Sequence, residues 1–136
     1  MTKFKISNAI ISVSDKTNLE LLVPYFAKNK ISIYSSGGTF KFLKNFKEEI
    51  TVNRISDYTK FPELLDGRVK TLHPLIHGGI LADKNNKGHI KDLKENGVIL
   101  FDLVIINLYR FEEIISKSQN SEDMCLEHID IGGPTI

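Results

Sequence analysis

Short apolar runs rich in β-branched residues alternate along the chain with stretches whose apolar positions recur every three or four residues. The runs at 9–13, 31–35, 51–55 and 102–109 read as strands, and the last is almost continuously apolar, as buried parallel strands are. Leu19, Leu22, Val23, Phe26 and Ala27 fall on one stripe of a helix, entered through a capping box of Thr17 and Glu20. Pro24 lies inside that stripe and predicts a kink or a division into two shorter pieces. Further helices are expected over 40–46, over 89–96 with Gly97 closing it, and over 121–129. Residues 80–82 read as the end of another short strand. Residues 57–78 show only short helical turns, and Phe61, Leu64, Leu65, Val69 and Leu72 give that long loop apolar anchors that argue for order.

Strands alternating with helices predict an α/β fold, a parallel sheet with helices on both faces. Sheets of this kind bind ligands beyond the carboxyl ends of their strands. The segments 14–16, 36–39 and 107–109 all fall at such ends.

Composition narrows the function classes. A chain of 136 residues with 41% hydrophobic and 26% charged positions reads as one ordinary soluble domain. Lys+Arg 18 against Asp+Glu 17 leaves a net charge of +1, so no global field calls for nucleic acid. The single cysteine, Cys125, excludes an intramolecular disulfide and fits a reducing compartment. Glu122, Asp123 and Glu127 around it disfavour a thiolate, so it is not read as a nucleophile. No apolar run approaches the roughly 18–20 residues of a membrane span, and no secretory signal is legible at the amino terminus. The expected location is the cytoplasm.

The densest chemistry lies in Gly67-Arg-Val-Lys-Thr-Leu-His-Pro74 and the following His77-Gly-Gly-Ile80. Arg68, Lys70 and Thr71 combine cations that fix phosphate with small donors that complete an anion site. Arg68 and Lys70 face one ligand if the backbone is extended, and are otherwise a solvated charge pair. Ser36-Gly-Gly-Thr39 reads as a second phosphate cradle, with a tight structural turn as its alternative. Two anion loops in a small domain suggest a phosphorylated small molecule rather than a polymer. His73 and His77 have the spacing of a helical metal pair, but Pro74 lets a helix only begin there, leaving His73 at its edge. Hydrogen bonding or packing beside the anion site is the reading preferred, and no metal is expected. Asp130 before Ile131-Gly132-Gly133 is either a turn former or a general base beside a backbone anion nest. Tyr109 is either a half-buried core phenol or a proton shuttle, while His89 and His128 lie on predicted helices as surface residues.

Seven segments occur in order: Ser12-Val-Ser-Asp-Lys-Thr17, Ser36-Gly-Gly-Thr39, Ser56-Asp-Tyr-Thr59, Phe61-Pro-Glu-Leu-Leu-Asp-Gly-Arg-Val-Lys-Thr-Leu-His-Pro74, Ile76-His-Gly-Gly-Ile-Leu-Ala82, Asn107-Leu-Tyr109 and Ile129-Asp-Ile-Gly-Gly-Pro134. Together they closely resemble the N-terminal inosine monophosphate (IMP) cyclohydrolase domain of the bifunctional purine biosynthesis proteins. The resemblance covers nearly the whole chain, and its 61–82 block is the most specific part. It implies a methylglyoxal-synthase-like (MGS-like), Rossmann-like domain over residues 1–136, working as a homodimer. The implied reaction is the last step of de novo purine synthesis. Formyl-aminoimidazole carboxamide ribonucleotide (formyl-AICAR) closes to IMP with loss of water, without metal or redox cofactor. In the family an AICAR formyltransferase domain follows, and 10-formyl-tetrahydrofolate would belong to that domain, which these residues do not include.

Carried over position by position, the resemblance makes Ser14, Lys16, Ser36, Gly37, Gly38, Thr39, Arg68 and Thr71 nucleotide and phosphate contacts, with Ile131 and Gly132 beside them. Lys70 and Tyr109 become a proton relay, Asp130 orients or deprotonates the attacking carboxamide, and Asn107 polarises the formyl group. Two departures stand out. Arg110 replaces the proline usual after the tyrosine, which loosens φ there and adds a cation. The family also continues, past the counterpart of Ile136, into Arg-Ala-Ala-Ala-Lys-Asn, whose lysine belongs to the active site. The chain is therefore expected to be a fragment of a longer polypeptide, or just the ordered part of one, that binds nucleotide yet cyclises poorly. Two alternatives share the fold: methylglyoxal synthase, a phosphate lyase acting on a triose phosphate, and a non-catalytic nucleotide-binding module like the regulatory domain of carbamoyl phosphate synthetase. The 68–74 block and the Asp130-Ile-Gly-Gly end favour the cyclohydrolase.

Overall fold

The computed structural model describes residues 5–108, 116, 126, 129 and 131–136. Strands β1 (Asn8–Val13), β2 (Ser32–Ser35), β3 (Thr51–Arg54) and β4 (Leu103–Asn107) form one sheet in the order β3-β2-β1-β4. Every pairing is parallel, as the alternation of elements predicts. Successive side chains of a strand point to opposite faces, and β1 uses both. Ala9, Ile11 and Val13 pack with Ile33 and Val52 beneath Leu19, Val23, Phe26 and Leu43. Ile10 faces the other way, against Ile55, Ile76 and Phe101. The sheet is thus covered on both faces, with β1 central and dry.

The crossovers follow local chemistry. After β1, Asp15 accepts from the Thr17 amide (2.9 Å) and hydroxyl (2.6 Å). That turn replaces the expected capping box: the following 3₁₀ turn (Leu19–Leu22) starts at Asn18, whose φ is 65°, with no side-chain cap. Helix α1 (Val23–Asn29) then begins with Pro24 in its first turn, where a missing N–H costs nothing, so the proline divides the stripe into two pieces. Helix α2 (Gly37–Lys44) begins three residues before the predicted 40–46, and Ile55 opens helix α3 (Ile55–Thr59) rather than ending β3.

The predicted strand at 80–82 is overturned. Those residues close helix α4 (Pro74–Leu81), with His73 at its N-cap, its Nδ1 accepting from the Leu75 amide at 3.2 Å. A short apolar run does not distinguish a strand from a buried helix, and Pro74 at the first helical position decides it. Helix α5 (Lys87–Glu95) ends just before Gly97, as expected, and a last turn, α6 (Gly132–Thr135), follows the 129–131 segment. The helix predicted over 121–129 falls largely outside the described residues. Among the described residues no helix is long and apolar enough to cross a membrane.

Asp102 ties the start of β1 to the start of β4. Its carboxylate accepts from the amides of Ser7 (2.8 Å) and Asn8 (3.2 Å) and pairs with Lys84 at 3.4 Å. Burial alone would raise this carboxyl, but the two amides and Lys84 outweigh it and hold it below the ordinary carboxylate value. A lowered folded-state value means stability that is full above the unfolded value, about pH 4, and is lost as pH falls through the folded one. Asp102→Asn is expected to cost about 1–3 kcal/mol at pH 7, from weakened charge-assisted bonds. The gap to the parent protein should close as denaturant midpoints are followed below about pH 4. A constant gap from pH 7 to 3 would contradict this.

Candidate active site

The chain winds from β1 through β2 to β3 on one side and returns to place β4 on the other, so the sheet switches direction between β1 and β4. A crevice opens beyond the carboxyl ends of strands at such a switch. Here it is a polar cavity of about 360 Å³. The end of β1 contributes Ser12, Val13, Ser14 and Lys16, and the β2–α2 turn contributes Ser36, Gly38 and Thr39. The loop before α4 adds Asp66, Gly67, Arg68, Lys70 and Thr71; β4 adds Asn107; the later chain adds Ile129, Gly132 and Gly133.

Register explains the position of Asn107. It pairs with Val13, the last residue of β1, so its carboxamide meets the turn that follows. Asn107 Oδ1 accepts from the amides of Ser14 (2.7 Å) and Asp15 (3.1 Å), and Nδ2 donates to the Asp15 carbonyl (2.6 Å). The Ser14 hydroxyl donates to the Leu108 carbonyl at 3.3 Å. These bonds lock the 14–15 turn onto β4. Thr39 does similar work from α2: its buried hydroxyl accepts from the Val13 amide (3.2 Å) and donates to the Val13 carbonyl (2.9 Å). That hydroxyl is committed to β1, so what Thr39 offers a ligand is its backbone in the first turn of α2, where amides lack intrahelical acceptors.

The cations gather around that helix start. Gly37 has φ +50°, a region that favours glycine, and a Cβ there would stand 3.3 Å from Lys70 Nζ. A Cβ on Gly67 (φ +86°) would stand 3.3 Å from Lys70 Cε and 3.4 Å from a Glu63 carboxylate oxygen. The two glycines therefore leave the channel through which Lys70 reaches the cavity. Lys16 Nζ donates to the Ser14 carbonyl at 3.0 Å and lies 3.6 Å from where a Gly38 Cβ would be. Among the described residues, Lys16, Arg68 and Lys70 line the cavity with one carboxylate, Asp66. Three cations, a glycine-rich helix start and a polar wall match a phosphate dianion.

The structure thus brings together Ser14, Lys16, Ser36, Gly38, Thr39, Arg68, Lys70, Thr71, Asn107 and Gly132, all singled out from the sequence. Gly37 and Ile131 do not line the cavity; Gly37 stands behind it beside Lys70, and Ile131 is exposed. Tyr109 and Asp130 lie outside the described residues, as do Arg110, Cys125 and His128. His89 is remote, its Nδ1 accepting from the Asp83 amide at 3.1 Å. His73 and His77 are engaged with backbone groups. Among the described residues no cluster of three or more His, Cys, Asp or Glu side chains could hold a metal. Sequence reasoning missed Asp66 as a lining group and Glu63, whose carboxylate accepts from the Gly37 amide at 3.4 Å. Both carboxylates lie in the 61–74 block, where the cations drew attention away from them.

Residues 18–135 match the model of the MGS-like domain. The chain is 48% identical over 128 residues to the bifunctional purine biosynthesis protein PurH of Macrococcus caseolyticus, covering 94% of this chain and 26% of that protein. It is 43% identical over 132 residues to PurH of Leptospira biflexa (97% and 25%), and 43% identical over 131 residues to PurH of Staphylococcus aureus (96% and 26%). The chain spans about a quarter of the length of these curated relatives. Among solved structures, the crystal structure of ForH superposes with a TM-score of 0.77 at 33% identity, covering 94% of this chain and 63% of that one.

Proposed function

The chain belongs to the family of MGS-like domains, and on that footing we propose that it is an IMP cyclohydrolase domain, closing formyl-AICAR to IMP. The observation that carries this reading is the cavity at the β1/β4 switch. Segments scattered from Ser12 to Gly133 converge there, and they are the segments that carry the resemblance to the purine enzymes. The PurH names of the relatives point the same way.

The ring closure needs little covalent help. The carboxamide nitrogen attacks the formyl carbon, forming the new C–N bond as that nitrogen loses a proton. The former formyl oxygen takes up that proton. Its C–O bond then breaks as the formamido nitrogen gives up its own proton and forms the ring C=N bond, and the oxygen leaves as water. No electrons change hands, so the chemistry calls for no redox cofactor, and in this reading side chains and backbone alone supply the rest. Both reacting groups belong to one molecule, and holding them in one rotamer supplies much of the rate. In this reading Lys16, Arg68 and the first turn of α2 hold the 5′-phosphate. Thr71 and Gly132 set the base against Lys70, whose ammonium stabilises the oxyanion and, with Tyr109, relays its proton. Asp130 takes the carboxamide proton. Asn107, already bonded to the 14–15 turn, keeps one amide hydrogen to offer the formyl oxygen.

The test is ultraviolet absorbance of formyl-AICAR incubated with the protein, where the IMP spectrum should grow in. No cyclisation, together with release of phosphate from dihydroxyacetone phosphate, would sink the reading in favour of a lyase. Tight binding of IMP with turnover of neither substrate would leave a binding module.

A further inference from the structure

Glu63 stands outside the lining of the cavity, yet it touches two of the features that shape it. Leu64 and Val69 face each other across an isolated antiparallel bridge, each amide donating to the other's carbonyl, at 3.0 and 3.2 Å. The next positions outward, Glu63 and Lys70, are therefore cross-strand neighbours. Their side chains meet over Gly67, where a Cβ would stand 3.4 Å from Glu63 Oε2 and 3.3 Å from Lys70 Cε. The other carboxylate oxygen, Oε1, accepts from the Gly37 amide at 3.4 Å, and Lys70 Nζ lies 3.3 Å from the place of a Gly37 Cβ. Gly37 opens α2, whose N-cap residue Ser36 makes no side-chain cap bond. Glu63 supplies that cap from 26 positions along the chain, with a charge that suits a helix start. The loop it anchors needs holding. Leu65, Asp66 and Gly67 at its tip all have positive φ (52°, 54° and 86°), which for the first two persists only where the surroundings enforce it.

We infer that Glu63 is a positioning residue that acts through Lys70: it caps α2 at Gly37, pins the 64–69 loop to that helix, and so fixes the path of the Lys70 stem into the cavity. The inference rests on the cyclohydrolase reading for the reaction that Lys70 serves. It also divides the amides of the first turn of α2. The Gly37 amide goes to Glu63, and those of the lining residues Gly38 and Thr39 are left to the phosphate.

The test is a double-mutant cycle on formyl-AICAR turnover. Glu63→Ala removes the cap, Glu63→Gln keeps a carbonyl oxygen on a stem of the same length, and each is made in the parent and in Lys70→Met. Thermal melts check that all are folded, and hydrogen exchange of the Gly37 amide is followed in the free proteins. In the parent background kcat should fall about tenfold in Glu63→Ala and about threefold in Glu63→Gln, with KM within about threefold in both. In Lys70→Met the same substitutions should each change kcat by less than about twofold, since the group they position is gone. Gly37 exchange should be faster in Glu63→Ala than in Glu63→Gln. A loss of similar size in both backgrounds means a tether serving the fold alone and overturns the inference, as does a parental kcat in Glu63→Ala or a loss carried by KM. Equal exchange in parent and variants overturns the cap. If Glu63→Ala does not fold, Glu63→Gln in the two backgrounds decides on the same terms. If the parent protein turns over no formyl-AICAR, the cyclohydrolase reading falls, while the exchange rates, which need no substrate, still decide the cap.

Discussion

Lys70→Met is expected to lower turnover of formyl-AICAR by at least about a hundredfold while leaving the melting temperature within a few degrees, in line with the loss of a single group that stabilises transition-state charge. The methionine keeps the length of the stem that passes between Gly37 and Gly67, so the channel stays filled. What disappears is the ammonium, 3.3 Å from where a Gly37 side chain would begin and beside the first turn of α2. On the proposed reading the phosphate keeps Lys16 and Arg68, which also line the cavity, so substrate binding should weaken far less than turnover. The prediction is therefore a large fall in kcat with a small change in KM. Steady-state absorbance kinetics read both. A rise in KM with kcat intact would make Lys70 a phosphate ligand and remove it from the proton relay. An unchanged kcat/KM would take it out of the site.

Much of this site was legible because its chemistry sits where parallel sheets put ligands. The β-branched runs located β1, β2 and β4, and the loops after them were read from glycine, serine and lysine alone. The roles of individual side chains were less legible, because they depend on register. The family resemblance makes Asn107 a substrate contact, but pairing with Val13 gives it to the 14–15 turn as well. Thr39 reads as a phosphate donor, yet its hydroxyl is closed into two bonds with Val13. Both residues secure the end of β1, a task set by contacts more than twenty residues apart along the chain. The strand expected at 80–82 failed for a related reason: three apolar residues carry no period, and the helix that contains them is fixed from its other end, by His73 and Pro74.

Gly79→Ala is expected to destabilise the protein by about 3 kcal/mol or more, against the sign of helix propensity, which favours alanine by about 1 kcal/mol. Gly79 lies within α4, where alanine is ordinarily the better residue. Here a Cβ would stand 2.1 Å from the Ile99 carbonyl oxygen and 2.8 Å from the Phe101 ring. The carbonyl is backbone, and Phe101 is buried among Ile10, Ile55 and Ile76 with Tyr34 and Tyr58 packed around it, so neither can step aside. The helix would have to lift, and the 2.9 Å bond from the Phe101 amide to the Gly79 carbonyl would go with it. Gly78 is the internal control. Among the described residues its Cβ would meet only Val98 Cγ1 at 3.6 Å, an ordinary contact, so Gly78→Ala should be neutral or stabilising by up to about 1 kcal/mol. Thermal melts of the two variants should then diverge, with Gly79→Ala roughly 10 °C below the parent and Gly78→Ala at or above it. Because α4 begins three residues after Thr71, the lifted helix should also weaken nucleotide binding in whatever fraction of Gly79→Ala remains folded. Equal melting temperatures for the two variants would mean that α4 does not pack on the 99–101 segment this closely. The adjacent glycines, which the sequence alone cannot tell apart, would then owe their places to something other than this contact.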